Sequence, residues 1–280
     1  MIENFTCPDG NTVSVNDCIQ KCKNRCLTLP TLIMASKTRK WDGKTFSVTQ
    51  LLQPTLQSYL KIKYPETISP MGVLAAALGT SGHALLEGNM PEGFRGEFRI
   101  KSKDGLITGQ PDCIDVKNGV LYDYKFVAAF SLARMLGMKQ ERYQHELLKG
   151  KNKGKKEWRV RWVPGGEKDF HHYDEQLNMY RVLLEDNGIK INKMILQVMA
   201  KESLAVLKSL GLDRQAYLIE IPKKEDWLVR KFFDDKYKKL YYSLKNDVVP
   251  SICDETWNGR RCKDYCSVNA YCPYYGDRHE

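Results

Sequence analysis

The residues best placed to do chemistry lie in GQPDCIDVKNGVLYDYK, residues 109–125, which carry three aspartates and two lysines around an Asn-Gly dipeptide. Asn118-Gly119 between apolar runs is a strong hairpin signal, because both residues tolerate the positive φ of a type I′ turn. With these two as the loop, Lys117 pairs with Val120, Ile114 with Asp123 and Asp112 with Lys125. Alternation then puts Asp112, Asp123 and Lys125 on one face, and Cys113 and Asp115 on the other. Neighbouring carboxylates repel unless a cation lies between them, and hard divalent ions prefer oxygen ligands. A lysine beside them can orient water and stabilise charge on a phosphate, so the set has the composition that metal-dependent phosphodiester hydrolysis needs. The simpler alternative is a surface hairpin with an ordinary Asp-Lys pair.

The surrounding chain contains elements able to position such a hairpin. SVTQLLQPTLQSYLKI and GVLAAALGTSGHALLE have helical apolar spacing, with Pro54 breaking or starting the first. Strands are expected at about 96 to 102 and in the hairpin, then helices in FSLARMLG and ERYQHELL. KMILQVMA and QAYLIEIP read as buried strands and residues 223–246 as a charged helix. This order predicts an α/β fold with a mixed central sheet flanked by helices. Residues 1–45 are expected to form a cysteine-rich cap, 46–248 the core and 249–280 a C-terminal cysteine cluster.

Further motifs accompany the hairpin: His83 in GTSGHALLE, Gly109 and Asp112 in GQPD, Asp123-Tyr124-Lys125, and Gln176 with Tyr180 in EQLNMYRVLLE. In order and spacing they resemble the PD-(D/E)XK nuclease superfamily, specifically its RecB-like branch of phage and CRISPR-adaptation exonucleases. The resemblance implies a restriction-endonuclease-like core in which His83, Asp112, Asp123 and the main-chain carbonyl of Tyr124 hold Mg²⁺ or Mn²⁺. Lys125 would assist the attacking water, and Gln176 and Tyr180, one turn apart on a helix, would position the site or the nucleic acid. Glu87, one turn after His83, is a candidate second-metal or outer carboxylate, or else a solvated helix charge. Taken alone, His83 reads as a buried, hydrogen-bonded histidine, and Tyr180 as a side chain packed on the sheet. Phe126 stands where relatives often carry a small hydroxyl residue.

Nine cysteines, no apolar leader and no membrane-length apolar run point to a reducing, cytoplasmic setting in which thiols bind metal. Cys262, Cys266 and Cys272 need a fourth ligand, for iron-sulfur or for zinc. Cys253 and Cys26 are the candidates. Iron-sulfur members of the RecB-like branch imply Cys26 and a [4Fe-4S] cluster, although their first gap is usually two residues and here it is three. Cys18, Cys22 and Cys26, at four-residue intervals, would line one helical face. With Cys7 they could form a separate zinc site, leaving Cys253 to the C-terminal group, while Cys113 lies inside. Some of these thiols could equally be buried without a ligand role.

A formal charge of +10 suits a polyanionic partner. An insertion at about 149–170 contains Lys149, Lys151, Lys153, Lys155 and Lys156, then EWRVRWV, whose alternation separates Trp158, Val160 and Trp162 from Arg159 and Arg161. The basic loop and Arg159/Arg161 face could track a phosphate backbone while tryptophan stacks on bases; alternatively the lysines are solvated and the tryptophans are core. The expected function is a Mg²⁺- or Mn²⁺-dependent deoxyribonuclease, an exonuclease acting on single-stranded or end-containing DNA in recombination, repair or phage DNA metabolism. A helicase or recombination partner follows from the resemblance alone, and no membrane association is expected. The alternative is a zinc-stapled DNA-binding adaptor that keeps the scaffold without turnover.

Overall fold

Ser14, whose hydroxyl accepts the Asp17 N–H at 3.0 Å, turns the first hairpin into a helix. This computed structural model describes residues 2–38, 40–96, 98–151, 153–254 and 257–276. The chain opens with β1 (Ile2–Thr6), β2 (Thr12–Ser14), α1 (Val15–Gln20) and α2 (Leu29–Ser36). Then come β3 (Phe46–Ser47), α3 (Val48–Leu52), α4 (Thr55–Lys63), β4 (Glu66–Ile68) and α5 (Pro70–Glu87). Pro54 starts α4: it lacks the N–H that would continue α3, and it holds Gln53 extended at ψ 158°.

The central region runs β5 (Phe94–Gly96), β6 (Ile100–Lys101), β7 (Ile107–Gly109), β8 (Cys113–Asp115), β9 (Val120–Val127) and α6 (Ala129–Met135). It continues through β10 (Met138–Glu146), β11 (Lys156–Pro164), α7 (Tyr173–Asp186) and β12 (Lys193–Ala200). The chain closes with α8 (Leu204–Ser209), β13 (Ala216–Glu220), α9 (Asp226–Asn246) and α10 (Arg260–Asp264).

The expected mixed sheet is present, in the order β13-β12-β9-β8-β5, with β9 and β12 parallel and the other pairs antiparallel. Leu121, Leu196 and Val198 from its middle strands are fully buried beside Leu177, Val182, Leu183 and Leu184 of α7. Helix α9 adds Val229, Phe233 and Leu240 to the same core from one apolar stripe. Among the described residues no helix is long and apolar enough to cross a membrane.

Four expectations change. Residues 141–148 are not a helix, because residues 138–146 pair with β11 as strand β10. Tyr143 and Leu147 have helical spacing, but the ladder to a strand-forming partner overrides it. The strand expected at about 96–102 divides into β5, in the main sheet, and β6, in a separate β3-β7-β6 sheet. Helix α1 ends at Gln20, so Cys22 and Cys26 do not share a helical face with Cys18. The cap also reaches past residue 45, since β4 pairs in parallel with β1, while Trp41 stacks on Phe46 of the main core.

Candidate functional site

Strands β8 and β9 pair Cys113 with Tyr122, Ile114 with Leu121 and Asp115 with Val120. This differs by two residues from the register expected of an Asn-Gly loop. Asp115 explains the difference: its carboxylate accepts the Asn118 N–H at 3.0 Å and the Asn118 amide at 2.7 Å, building a turn over residues 116–119. Only Gly119 of the Asn-Gly pair takes positive φ, at +65°, and a Cβ there would lie 2.8 Å from the Lys190 carbonyl. A two-residue slip leaves side-chain faces unchanged, so Asp123 and Lys125 still share a face. One step beyond the ladder, Asp112 lies opposite Asp123, and its Oδ2 accepts the Tyr124 N–H at 2.8 Å.

Asp123 is fully buried and ion-paired with Lys125. Gln176 fixes its Oδ1, donating from Nε2 at 3.2 Å while also contacting the Tyr180 hydroxyl at 3.1 Å. The other oxygen, Oδ2, is held by the Lys125 ammonium. Burial pushes the Asp123 carboxyl up to about 6, opposed by Lys125. Burial also pulls the Lys125 ammonium down, but Asp123 and Asp112 outweigh it and hold it above the usual lysine value. Its Nζ sits 4.9 Å from the centre of the Tyr173 ring.

The glycine of the Gly-x-x-Asp motif has a packing role. A Cβ on Gly109 would lie 2.9 Å from the Tyr180 ring and 3.1 Å from Leu183, so glycine lets α7 close onto β7 and carry Gln176 to Asp123.

His83, on α5, approaches from the other side. Its Nδ1 lies 3.3 Å from Asp112 Oδ1, and this contact raises the imidazole above its usual range against the effect of burial. The His83 ring also meets Tyr124 and Phe126, with centroids 6.1 and 6.0 Å away. Phe126 occupies the space a Cβ on Gly82 would need, 2.2 Å from its ring, so the bulky residue after Lys125 is matched by a helical glycine facing it. Glu87 is exposed at the end of α5.

Lys125 lines two clefts. One, of about 550 Å³, includes His83, Tyr124, Phe126 and Lys201; the other, of about 590 Å³, includes His171, His172, Tyr173, Gln176 and Arg261. Sequence reasoning missed His171, His172 and Tyr173. Their signal was a double histidine directly before the Gln/Tyr helix, and both histidines hold the strained positive φ values of +48° and +67°. A separate cavity of about 540 Å³, near Trp41, Asp42 and Glu66, contains none of the candidate residues.

The cysteines form two neighbourhoods. Cys253 has Cys262, Cys266 and Cys272 as electrostatic neighbours, whereas Cys18 has Cys7, Cys22 and Cys26. Cys26 is therefore with the N-terminal thiols, in a segment that Arg25 ties back to α1 by donating to the Ile19 carbonyl at 2.8 Å. The C-terminal segment docks on β4, at the edge of the cap sheet, with the Ser267 carbonyl accepting the Thr67 N–H at 3.3 Å. Cys113 is buried, as expected. Among the described residues no three His, Cys, Asp or Glu side chains stand close enough together to form a ready metal site. Lys153 and Lys155 are exposed at the tip of β10–β11, while Arg159 and Arg161 pair with Glu157 and Glu141.

No protein-family model matches the chain, and no curated protein matches it.

Proposed function

We propose that the chain is a metal-dependent deoxyribonuclease that hydrolyses phosphodiester bonds, an exonuclease acting on DNA ends. The convergence of His83, Asp112, Asp123, Lys125 and Gln176 from α5, the hairpin and α7, between two open clefts, carries this reading. The donor chemistry fits Mg²⁺ or Mn²⁺: Asp123 Oδ2 is a buried carboxylate oxygen that now faces only the Lys125 ammonium among the described residues, Asp112 adds carboxylate oxygens, and the His83 imidazole suits Mn²⁺. His83, Asp112, Asp123 and the Tyr124 carbonyl would hold the ion, exchanging the present His83–Asp112 and Asp123–Lys125 contacts for contacts to it. A bound divalent ion would supply Lewis acidity and neutralise phosphate charge. Lys125, kept protonated by its carboxylate neighbours, would donate to the phosphate and orient the incoming water. Gln176 holds Asp123, and Tyr180 holds Gln176.

The grouping of the cysteines is in keeping with two metal-binding elements, a C-terminal [4Fe-4S] cluster or zinc on Cys253, Cys262, Cys266 and Cys272 and a zinc on the N-terminal four, whose thiols would have to draw together around the metal, since among the described residues no three of them stand close enough to hold one. Both would tie down short elements around the nuclease core.

The test is cleavage of end-labelled single-stranded and duplex linear DNA, and of a closed circle, with Mn²⁺ or Mg²⁺. The parent should degrade linear DNA only with metal. Lys125→Ala should lose about 10²–10³-fold in rate while still binding DNA. A parent as inactive as Asp123→Ala, but still binding DNA, would favour the adaptor reading.

A further inference from the structure

Between Lys125 and Gln176 the chain leaves the core as a ribbon of two strands, β10 and β11, paired continuously from Met138↔Pro164 to Glu146↔Lys156. Nine residues at strand rise span about 30 Å. Among the described residues, the ribbon pairs with no third strand. Its root is anchored by Trp162, which meets Phe130 edge-on at 5.2 Å. Farther out the apolar side chains stand in solvent, with Trp158 61% and Val160 55% exposed.

The two faces of the ribbon differ. On one, Arg159 and Arg161 are occupied by Glu157 and Glu141, and Arg161 also covers Tyr143 at 4.9 Å. The other presents Trp158, Val160 and Arg142, with the Arg142 guanidinium 5.7 Å from the Trp158 ring centre. Among the described residues no carboxylate forms an ion pair with Arg142. Residues 138–164 carry nine lysines and arginines against three glutamates, and five of the lysines cluster at the tip. An exposed aromatic ring beside a guanidinium that has no carboxylate partner among the described residues, on a strongly basic ribbon, suits an unpaired base attached to a phosphate chain. Bases inside a duplex do not offer that stacking face.

The ribbon also leads toward the candidate site. The cleft at its root, about 560 Å³ and lined by Lys139, Lys168, His171 and His172, shares both histidines with the cleft that Lys125 lines.

We propose that the β10–β11 arm binds single-stranded DNA, stacking unpaired bases on its Trp158–Arg142 face, gripping phosphates with its lysine tip and guiding the strand past His171 and His172 toward Lys125. Delivery to Lys125 rests on the nuclease reading; binding by the arm does not.

The test is fluorescence anisotropy of the full chain with a labelled single strand of about 20 nucleotides, the matching duplex and the matching RNA, all in EDTA. The single DNA strand should bind tightest. Trp158→Ala should weaken its binding about 5- to 150-fold, with little change for the duplex, and Trp158→Phe should restore most of the loss. Lys153→Gln with Lys155→Gln should flatten the salt dependence of single-strand binding by about 1.4 units of slope. Unchanged single-strand affinity in Trp158→Ala overturns the proposal, as does equal parent affinity for strand and duplex or tighter binding of RNA. Cleavage by a parent whose strand binding ignores Trp158 would remove the arm and leave the nuclease. Trp158-dependent binding by a chain that never cleaves would do the reverse.

Discussion

Asp123 carries two demands in one side chain. Its burial raises the carboxyl from 3.8 to about 6, so its neutral form stabilises the metal-free fold at low pH, and that contribution is lost as pH rises through about 6. A cation binds the ionised form, so the rise in Tm on adding Mn²⁺ should grow between about pH 5 and pH 7 and be absent in Asp112→Asn, as differential scanning fluorimetry would show. Gln176→Leu removes the donor on Asp123 Oδ1 and should weaken Mn²⁺ affinity about 10- to 100-fold by calorimetric titration, leaving the fold intact. Gly109→Ala acts from farther away. The added methyl meets Tyr180 and Leu183, which should cost about 1–3 kcal/mol in urea unfolding and lower activity by shifting Gln176.

At the scale of elements, α7 is the beam on which the site depends, with Gln176 through Leu184 all buried. Its far end is clamped by Asp186, which accepts both Arg230 nitrogens of α9 at 2.7 and 3.0 Å and faces Lys103 at 3.2 Å. Arg230 holds the Asp186 carboxyl below its usual value, so the clamp stabilises the fold above that value and is lost as pH falls through the folded one. Asp186→Asn should cost about 1–3 kcal/mol at neutral pH by urea unfolding, and the difference from the parent should shrink below about pH 4. The β10–β11 arm is the contrasting element. Its outer part is exposed, so its substitutions should move binding and leave Tm nearly unchanged.

Across the whole molecule, distant segments meet at β4. Its strand completes the cap sheet through β1, while Glu66 accepts the Ser267 hydroxyl at 2.6 Å beside Cys266. Tyr64 and Tyr271 stack nearby, with centroids 4.7 Å apart. The chain ends are thus joined through β4, and the two thiol groups remain separate. If the proposed C-terminal metal is bound, Cys253→Ser should therefore remove it, read as iron and sulfide or zinc in anaerobically purified protein, whereas Cys26→Ser should leave it in place. Loss of that metal in Cys26→Ser and its retention in Cys253→Ser would restore the ligand set implied by the RecB-like resemblance.

The candidate chemistry was legible in the sequence because it is local or periodic. Asp123 and Lys125 share a face by strand alternation, Gln176 and Tyr180 by helical spacing, and an even slip in hairpin register cannot change that. The mixed sheet was legible for the same reason, since Leu121, Met194 and Val198 lie in apolar runs bounded by turn residues. Residues 141–148 were misread because pairing energy with a strand later in the chain has no local signature. Neighbours far apart in sequence were equally hidden: His171 and His172 in one cleft with Lys125, and Phe126 against Gly82. The sequence determined which residues could face one another within an element. Only the tertiary structure decided which elements met, because long-range packing chooses among locally equivalent arrangements.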